Sequence, residues 1–205
     1  VEHTVTIQPG AVVKFRERHV VEGHQNGTIM ASGTLSDPII FTSIKDDSYG
    51  CDDNNDGNSS QPAPKDWSRI LVATNGSVFN HCHFYYGGGN TWQSTLETRD
   101  LEISITNCRF ADNAGGVYLG SFYGVLTAWN ATPSSTIQNN IFYNNVLPLS
   151  VNASVSLGEG NRFSNPDNPS ESNTMNGIFV YGDIEISTSW TDTEVPFVCE
   201  SSTLF

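Results

Sequence analysis

Positive charge is scarce in this sequence: 9 lysines and arginines stand against 22 aspartates and glutamates, giving a formal net charge of -13. Such an excess of negative charge repels phosphate backbones and anionic lipid headgroups at close range. We therefore expect no nucleic acid among the partners of this protein. Long apolar runs are also missing, and none approaches the roughly 20 residues that span a bilayer. Membrane insertion is not expected either.

Helical periodicity is equally absent, because no stretch keeps apolar residues at positions i, i+3, i+4 and i+7. Short β-branched and aromatic runs recur instead between glycine, asparagine, aspartate and proline clusters. The clearest runs are 4–7, 11–15, 38–43 and 178–181. With 37% hydrophobic residues for a continuous core, the pattern predicts a single all-β domain over residues 1–205.

One short motif occurs four times and indicates a repeat. It is an asparagine or cysteine two residues before a phenylalanine, and its copies are Cys82 with Phe84, Cys108 with Phe110, Asn140 with Phe142, and Asn161 with Phe163. The copies lie about 20 to 30 residues apart, close to one turn of a solenoid. Stacked turns would place each phenylalanine over the previous one at about 4.8 Å, beside a ladder of cysteines and asparagines. We predict a rod of roughly eight coils, about 40 Å long.

Several segments resemble the opening coils, acidic loop and closing coils of a known family. That family is the right-handed parallel β-helix domain of secreted and cell-surface proteins, in the pectate-lyase-like β-solenoid superfamily. The segments are 4–15, 27–34, 37–43, 45–48, 52–57, 64–67, 177–178 and 195–198. The resemblance implies a right-handed parallel β-helix with an acidic loop insertion at about 45–66, and an extracellular or cell-surface location. It says little about function, because one fold hosts many functions.

The acidic loop holds the sharpest local motif. Asp52, Asn54 and Asp56 alternate before Gly57, as in calcium-binding loops. The twelfth position of such a loop is Ala63 here, which cannot supply a bidentate carboxylate. We expect structural Ca²⁺ on Asp52, Asn54 and Asp56, with one or more further carboxylates completing the shell; a solvated acidic loop is the alternative. The candidates for the further ligands are Asp46, Asp47 and Asp66.

Four cysteines allow several arrangements. Cys82 and Cys108 occupy equivalent positions on neighbouring coils, about 5 Å apart, which suits either a disulfide or two stacked buried thiols. Cys51 and Cys199 should lie several coils apart, so that Cys199 is a candidate for a bridge to another molecule.

Catalytic motifs are not recognisable. The outward row one residue before each phenylalanine reads His83, Arg109, Ile141 and Arg162, which would bring His83 and Arg109 together. A polysaccharide lyase needs a basic residue and a glycosidase needs paired carboxylates, for which only scattered candidates exist. Those carboxylates are Asp100, Glu102 and Asp112. Aromatic rings that could stack on sugars, or instead cover the core and pack under loops, are Trp92, Trp129, Tyr85, Tyr86, Tyr123 and Phe122.

Five N-x-[ST] sequons fall in polar, turn-like stretches and favour a glycosylated, secreted protein. They begin at Asn26, Asn58, Asn75, Asn130 and Asn152. We predict an extracellular structural or adhesive module and no enzyme; the alternative is a carbohydrate-binding or polysaccharide-degrading β-helix. Because strands reach both termini without caps, we also expect end-to-end self-association into a filament, or continuation into neighbouring domains of the same protein.

Overall fold

The computed structural model describes residues 3–16, 20–23, 27–91, 94–99 and 102–200, with the backbone alone for 20–23. These residues form strands, turns and irregular segments, and no helix is found among them. The all-β prediction is confirmed, and the four strand-forming runs named above all contain strands. Consequently none of the described segments is a helix that could cross a bilayer.

Three parallel sheets form the three sides of a solenoid, and the chain passes through sheets A, B and C in turn. Sheet A contains β1 (His3–Ile7), β4 (Gly27–Ser32), β7 (Val78–Asn80), β10 (Ser104–Thr106) and β15 (Thr136–Gln138). Sheet B contains β2 (Val12–Phe15), β5 (Ile39–Ser43), β8 (Cys82–Tyr85), β11 (Arg109–Ala111) and β16 (Ile141–Tyr143). Sheet C contains β3 (Val20–Gly23), β6 (Arg69–Val72), β9 (Leu96–Arg99), β14 (Leu126–Trp129), β17 (Leu149–Asn152), β20 (Ile178–Tyr181) and β21 (Phe197–Cys199).

Two antiparallel hairpins interrupt this sequence of sheets. One pairs β12 (Gly116–Tyr118) with β13 (Ser121–Tyr123), and the other pairs β18 (Ser164–Asn165) with β19 (Asn168–Ser172). The solenoid has about six turns, fewer than the predicted eight. The two hairpins and the segment 182–196 lie outside the three parallel sheets, so their residues add no turns to the solenoid.

A stack of phenylalanine rings fills the interior beneath sheet B. Centroids of consecutive rings lie 4.7 Å apart from Phe84 to Phe110, 5.0 Å from Phe110 to Phe142 and 5.4 Å from Phe142 to Phe163. All four side chains are fully buried. The predicted stack is therefore confirmed, and Phe41 extends it by one ring, 4.9 Å from Phe84.

Two ladders of buried polar side chains flank the phenylalanines. In the first, the Oδ1 atom of Asn161 accepts hydrogen bonds from both the backbone and the side-chain amide of Asn140, each at 3.1 Å. Cys108 and Cys82 continue this ladder as thiols. The second ladder, which the sequence interpretation missed, joins Asn113, Asn145 and Asn173 in the same manner. These bonds satisfy polar groups that the interior could not otherwise hold.

The two ends of the interior differ. Val5 occupies the same inward position in β1 as Ile29 in β4, yet it is 60% exposed while Ile29 is 7% exposed. At the opposite end Trp190 stacks on Phe197 at 5.1 Å and packs against the core. The interior is therefore less covered beside β1 than beside Trp190 and Phe197.

Candidate functional site

The outer face of sheet B brings together the row of side chains that the repeat predicted. Arg109 is in register with His83 on one side and with Ile141 on the other. Arg162 follows Ile141 through an isolated parallel bridge. The predicted proximity of His83 and Arg109 is thus confirmed, since in-register side chains of adjacent parallel strands point the same way at about 4.8 Å.

A groove of about 360 Å³ runs along this row. Its floor is formed by His83, Arg109 and Ile141, and one wall is formed by residues at the corner between sheets A and B. Here the chain turns sharply at residues with positive φ. These wall residues are His81 (φ 49°), Asn107 (φ 56°) and Asn139 (φ 55°). At one end the wider turn between β4 and β5 projects Leu35, which is 87% exposed.

Tyrosines line the opposite side of the row. Tyr85 and Tyr143 point outward from sheet B but are only 8% and 9% exposed, because Tyr49 and Tyr86 pack against their cluster. The ring of Tyr49 stacks on Tyr85 at 5.6 Å, and the two hydroxyls are 3.4 Å apart. The Tyr85 hydroxyl also lies 3.5 Å from Nδ1 of His83. Burial, and then the hydrogen bond with Tyr49, raise the pKa of Tyr85, so that it remains a neutral phenol.

The charges of the row are unequal. Burial, together with the positive charges of Arg109 and His81, lowers the pKa of His83 to about 4, so that this imidazole is neutral near pH 7. Arg109 lies over the Tyr143 ring, with Cζ 5.8 Å from its centroid. Although burial opposes it, Tyr143 and Tyr85 raise the pKa of Arg109 above its ordinary value. Within the groove, the row therefore presents one permanent positive charge, on Arg109, beside one neutral hydrogen-bonding ring, that of His83.

The acidic loop is held by hydrogen bonds between its own residues. The carboxylate of Asp52 accepts hydrogen bonds from the amides of Asp56 at 3.1 Å and Gly57 at 2.8 Å. Asn54 donates to the Asp56 carboxylate at 3.0 Å. The Oδ1 atoms of Asn54 and Asp56 are buried without a partner. Two of the three predicted calcium ligands therefore keep an unused oxygen, whereas Asp52 is occupied by loop amides.

The expected additional ligands lie near the ends of this loop. Asp46 accepts from the Thr42 hydroxyl at 2.6 Å, and Asp66 accepts from Lys45 at 2.8 Å and from Ser43 at 2.8 Å. Asp47 has a buried Oδ1 without a partner. Over the described ranges, no three His, Cys, Asp or Glu side chains lie close enough to share a metal ion.

The cysteines are all free thiols in this structure. Cys82 and Cys108 are buried and donate to the carbonyl oxygens of Ala31 and Phe79, each at 3.4 Å. The neighbouring Cys108 thiol, and then burial, raise the pKa of Cys82. Cys51 and Cys199 are exposed.

The remaining sugar-stacking candidates pack within the fold. Phe122, on the hairpin of β12 and β13, stacks on Phe179 of sheet C at 4.6 Å, and Trp129 stacks on Tyr181 at 4.5 Å. Tyr123 lies parallel to Trp129 at a centroid distance of 6.1 Å.

The candidate carboxylates and the sequons are dispersed. Glu102 lies next to sheet A, whereas Asp112 follows β11 of sheet B, so they do not share a strand row. The sequon asparagines Asn58, Asn75 and Asn130 are exposed, and Asn152 is half-buried. Asp100, Trp92 and Asn26 lie outside the described residues.

Sequence reasoning missed the residues that give the row its shape. Tyr143 was detectable, because it stands one position after Phe142 just as Tyr85 follows Phe84. Tyr49 and Leu35 had no such signal, because they reach the row from loops of unrelated length.

Comparison with known proteins finds no family model that matches this chain, and no curated protein or solved structure that is similar to it.

Proposed function

We propose that this protein is an extracellular structural and adhesive module of the pectate-lyase-like β-helix type, which serves as a rigid spacer and carries ligand-binding features on its outer faces. The observation that carries this proposal is the phenylalanine stack from Phe41 to Phe163, flanked by hydrogen-bonded ladders. Because each turn is held to the next by the same rings and amides, the turns resist sliding and bending as a unit. Exposed sequons at Asn58, Asn75 and Asn130 support passage through a glycosylating secretory route.

The open first turn supports an extended assembly. Its inward-facing Val5 is exposed, so that one more coil would bury it. That coil would come from a neighbouring domain of the same polypeptide, giving a tandem rod, or from a second copy of the chain, giving a filament.

Structural calcium remains part of the proposal. The unpartnered Oδ1 atoms of Asn54 and Asp56 are hard oxygen donors of the kind that Ca²⁺ prefers. A bound ion would neutralise the carboxylates of the loop and hold it against the corner of the solenoid. It would support the fold without taking part in a reaction.

A carbohydrate-active enzyme is the second candidate, and the groove with His83 and Arg109 is the observation that favours it. Its chemistry is weak, however. Arg109 holds its proton tightly, and an imidazole with a pKa of about 4 is a poor base near neutral pH. The groove is therefore better suited to binding than to proton abstraction.

The experiment that separates the two functions is a degradation assay. The protein is incubated, with and without calcium, with neutral and uronate-containing polysaccharides, while new reducing ends and unsaturated products are measured. We expect no product above a heat-denatured control. Turnover that disappears in Arg109→Gln would overturn the structural reading and establish the enzyme.

A further inference from the structure

The Arg109 guanidinium differs from three other basic groups of this acidic protein, which are paired with carboxylates. Lys14 pairs with Asp53 at 2.7 Å, Lys45 pairs with Asp66 at 2.8 Å, and Arg99 pairs with Glu97 at 2.7 Å. Within the described part of the chain, no carboxylate lies within ion-pair distance of Arg109, and its Nε atom is buried without a hydrogen-bond partner. Arg109 is therefore a half-buried cation without a paired carboxylate among the described residues, which is unusual in a chain with a net charge of -13.

We propose that the groove on the outer face of sheet B is a binding site for a small monocarboxylate, which places its carboxylate on Arg109. A guanidinium presents a planar fork of N–H donors that matches the two oxygens of a carboxylate. The Tyr143 ring lies under Arg109, with Cζ 5.8 Å from its centroid. Asp167 acts on Arg109 through space and forms no ion pair with it.

The charge of the groove limits the ligand to a single negative group. His83, next to Arg109 on the floor, is neutral near pH 7 and adds no second positive charge. Its ring nitrogens can instead exchange hydrogen bonds with a hydroxyl group. A dianion would leave one charge uncompensated in a half-buried site, which is costly.

The shape of the groove limits the size and character of the rest of the ligand. Its volume of about 360 Å³ is near the lower end for small-molecule sites. Ile141 on the floor and Leu35 at the end provide apolar surface, while Asn107 and Asn139 line the wall with amides. These features fit a carboxylate on one ring-sized body, either a sugar acid or an apolar ring. This binding site is independent of the structural role proposed above, because the solenoid needs no ligand in the groove to act as a rigid spacer.

The test is a titration followed by amide chemical shifts, with glucuronate and benzoate as probes and glucose as the uncharged counterpart of glucuronate. We expect saturable shifts at Asn107, Arg109 and Ile141 with at least one carboxylate and none with glucose. Binding of glucuronate alone identifies a sugar acid, binding of benzoate alone identifies an apolar carboxylate, and binding of both shows that the carboxylate dominates.

Matched variants locate the charge responsible. Arg109→Gln should weaken binding of the carboxylate at least about tenfold. Arg109→Lys keeps the charge but loses the planar pair of N–H donors, so its affinity should lie between those of the unaltered protein and Arg109→Gln. Arg162→Gln, two turns from Arg109 along the same row and outside the groove, should bind within about twofold of the unaltered protein. The proposal is overturned if no carboxylate binds up to about 20 mM, or if Arg109→Gln binds as well as Arg162→Gln while both remain folded.

Discussion

The side-chain oxygen of Asn140 accepts a hydrogen bond from the backbone amide of Cys108 at 3.0 Å, which joins the thiol part of the interior ladder to its asparagine part. Asn140 meanwhile donates to the carbonyl oxygen of Ile105 at 2.9 Å and to Asn161 at 3.1 Å. Cys108 donates to the equivalent carbonyl oxygen one turn earlier, that of Phe79. The cysteine thus occupies an asparagine position of the ladder.

Replacing Cys108 by asparagine should therefore be tolerated. The new amide can donate to the carbonyl oxygen of Phe79 and to Oδ1 of Asn140, so we expect a free energy of unfolding within about 1 kcal/mol of the original. Cys108→Asp is the matched control, because it has the same shape but brings a carboxylate towards two acceptors, and it should cost more than about 3 kcal/mol. Urea unfolding measures both. Equal losses in the two variants would show that the ladder does not accept an amide here.

The centre of the phenylalanine stack should be its most sensitive position. Phe110→Ala leaves a cavity between Phe84 and Phe142, and we expect it to cost about 3 to 5 kcal/mol of unfolding free energy. Leu119→Ala is the control, since Leu119 is 89% exposed and its loss should change stability by less than about 0.5 kcal/mol. If Phe110→Ala is as stable as Leu119→Ala, the phenylalanine stack does not contribute to the stability of the fold.

His83 should make the fold sensitive to acid. Arg109 on β11 and His81 before β8 are the charged groups that face it, and the Tyr85 phenol lies beside it. Its pKa falls from 6.5 in the unfolded chain to about 4 in the fold, so the unfolded state binds a proton more readily between these values. The stability that comes from keeping His83 neutral is fully present above pH 6.5 and is lost as the pH falls towards 4.

This loss can be measured against His83→Gln. Between pH 7 and pH 4.5, the original protein should lose up to about 2 to 3 kcal/mol more than the variant in urea unfolding. The carboxylates common to both proteins cancel in this difference. If both proteins lose the same amount, His83 is not held neutral by the fold.

Calcium should stabilise the protein through the acidic loop. We expect calcium to raise the midpoint of thermal unfolding of metal-free protein and to release heat on titration, since a ligand that binds only the folded state adds to its stability. Asp56→Asn should abolish both effects, whereas Glu102→Gln, with the same change in charge beside sheet A, should keep them. A calcium response that persists in Asp56→Asn would move the ion away from this loop.

Much of the fold could be predicted because a solenoid repeats its spacing. Phe84, Phe110 and Phe142 each follow a ladder residue by two positions, so that one motif determined the stack and also the outward pair of His83 and Arg109. The second asparagine ladder was missed because a hairpin separates Asn173 from Phe163 and hides the spacing.

The parts of the candidate site that come from loops could not be predicted. Tyr49 covers Tyr85 and Leu35 closes the groove because of how their loops fold back on sheet B, which depends on contacts between residues far apart in sequence. Similarly, the alternating pattern of Asp52, Asn54 and Asp56 indicated three ligands, but backbone amides of the loop compete for Asp52.

Rigidity of the rod is the central claim, and a distance measured by pulsed electron paramagnetic resonance tests it most directly. Spin labels are attached at Leu35→Cys and Glu159→Cys, with the exposed Cys51 and Cys199 replaced by serine, while the buried Cys82 and Cys108 remain unlabelled. The two label sites lie at the same corner of the solenoid, four turns apart through His81, Asn107 and Asn139, or about 20 Å at 4.8 Å per turn. The account predicts one narrow distance distribution near this value, widened only by the label linkers. A broad or multiple distribution would contradict a solenoid whose turns are fixed to one another.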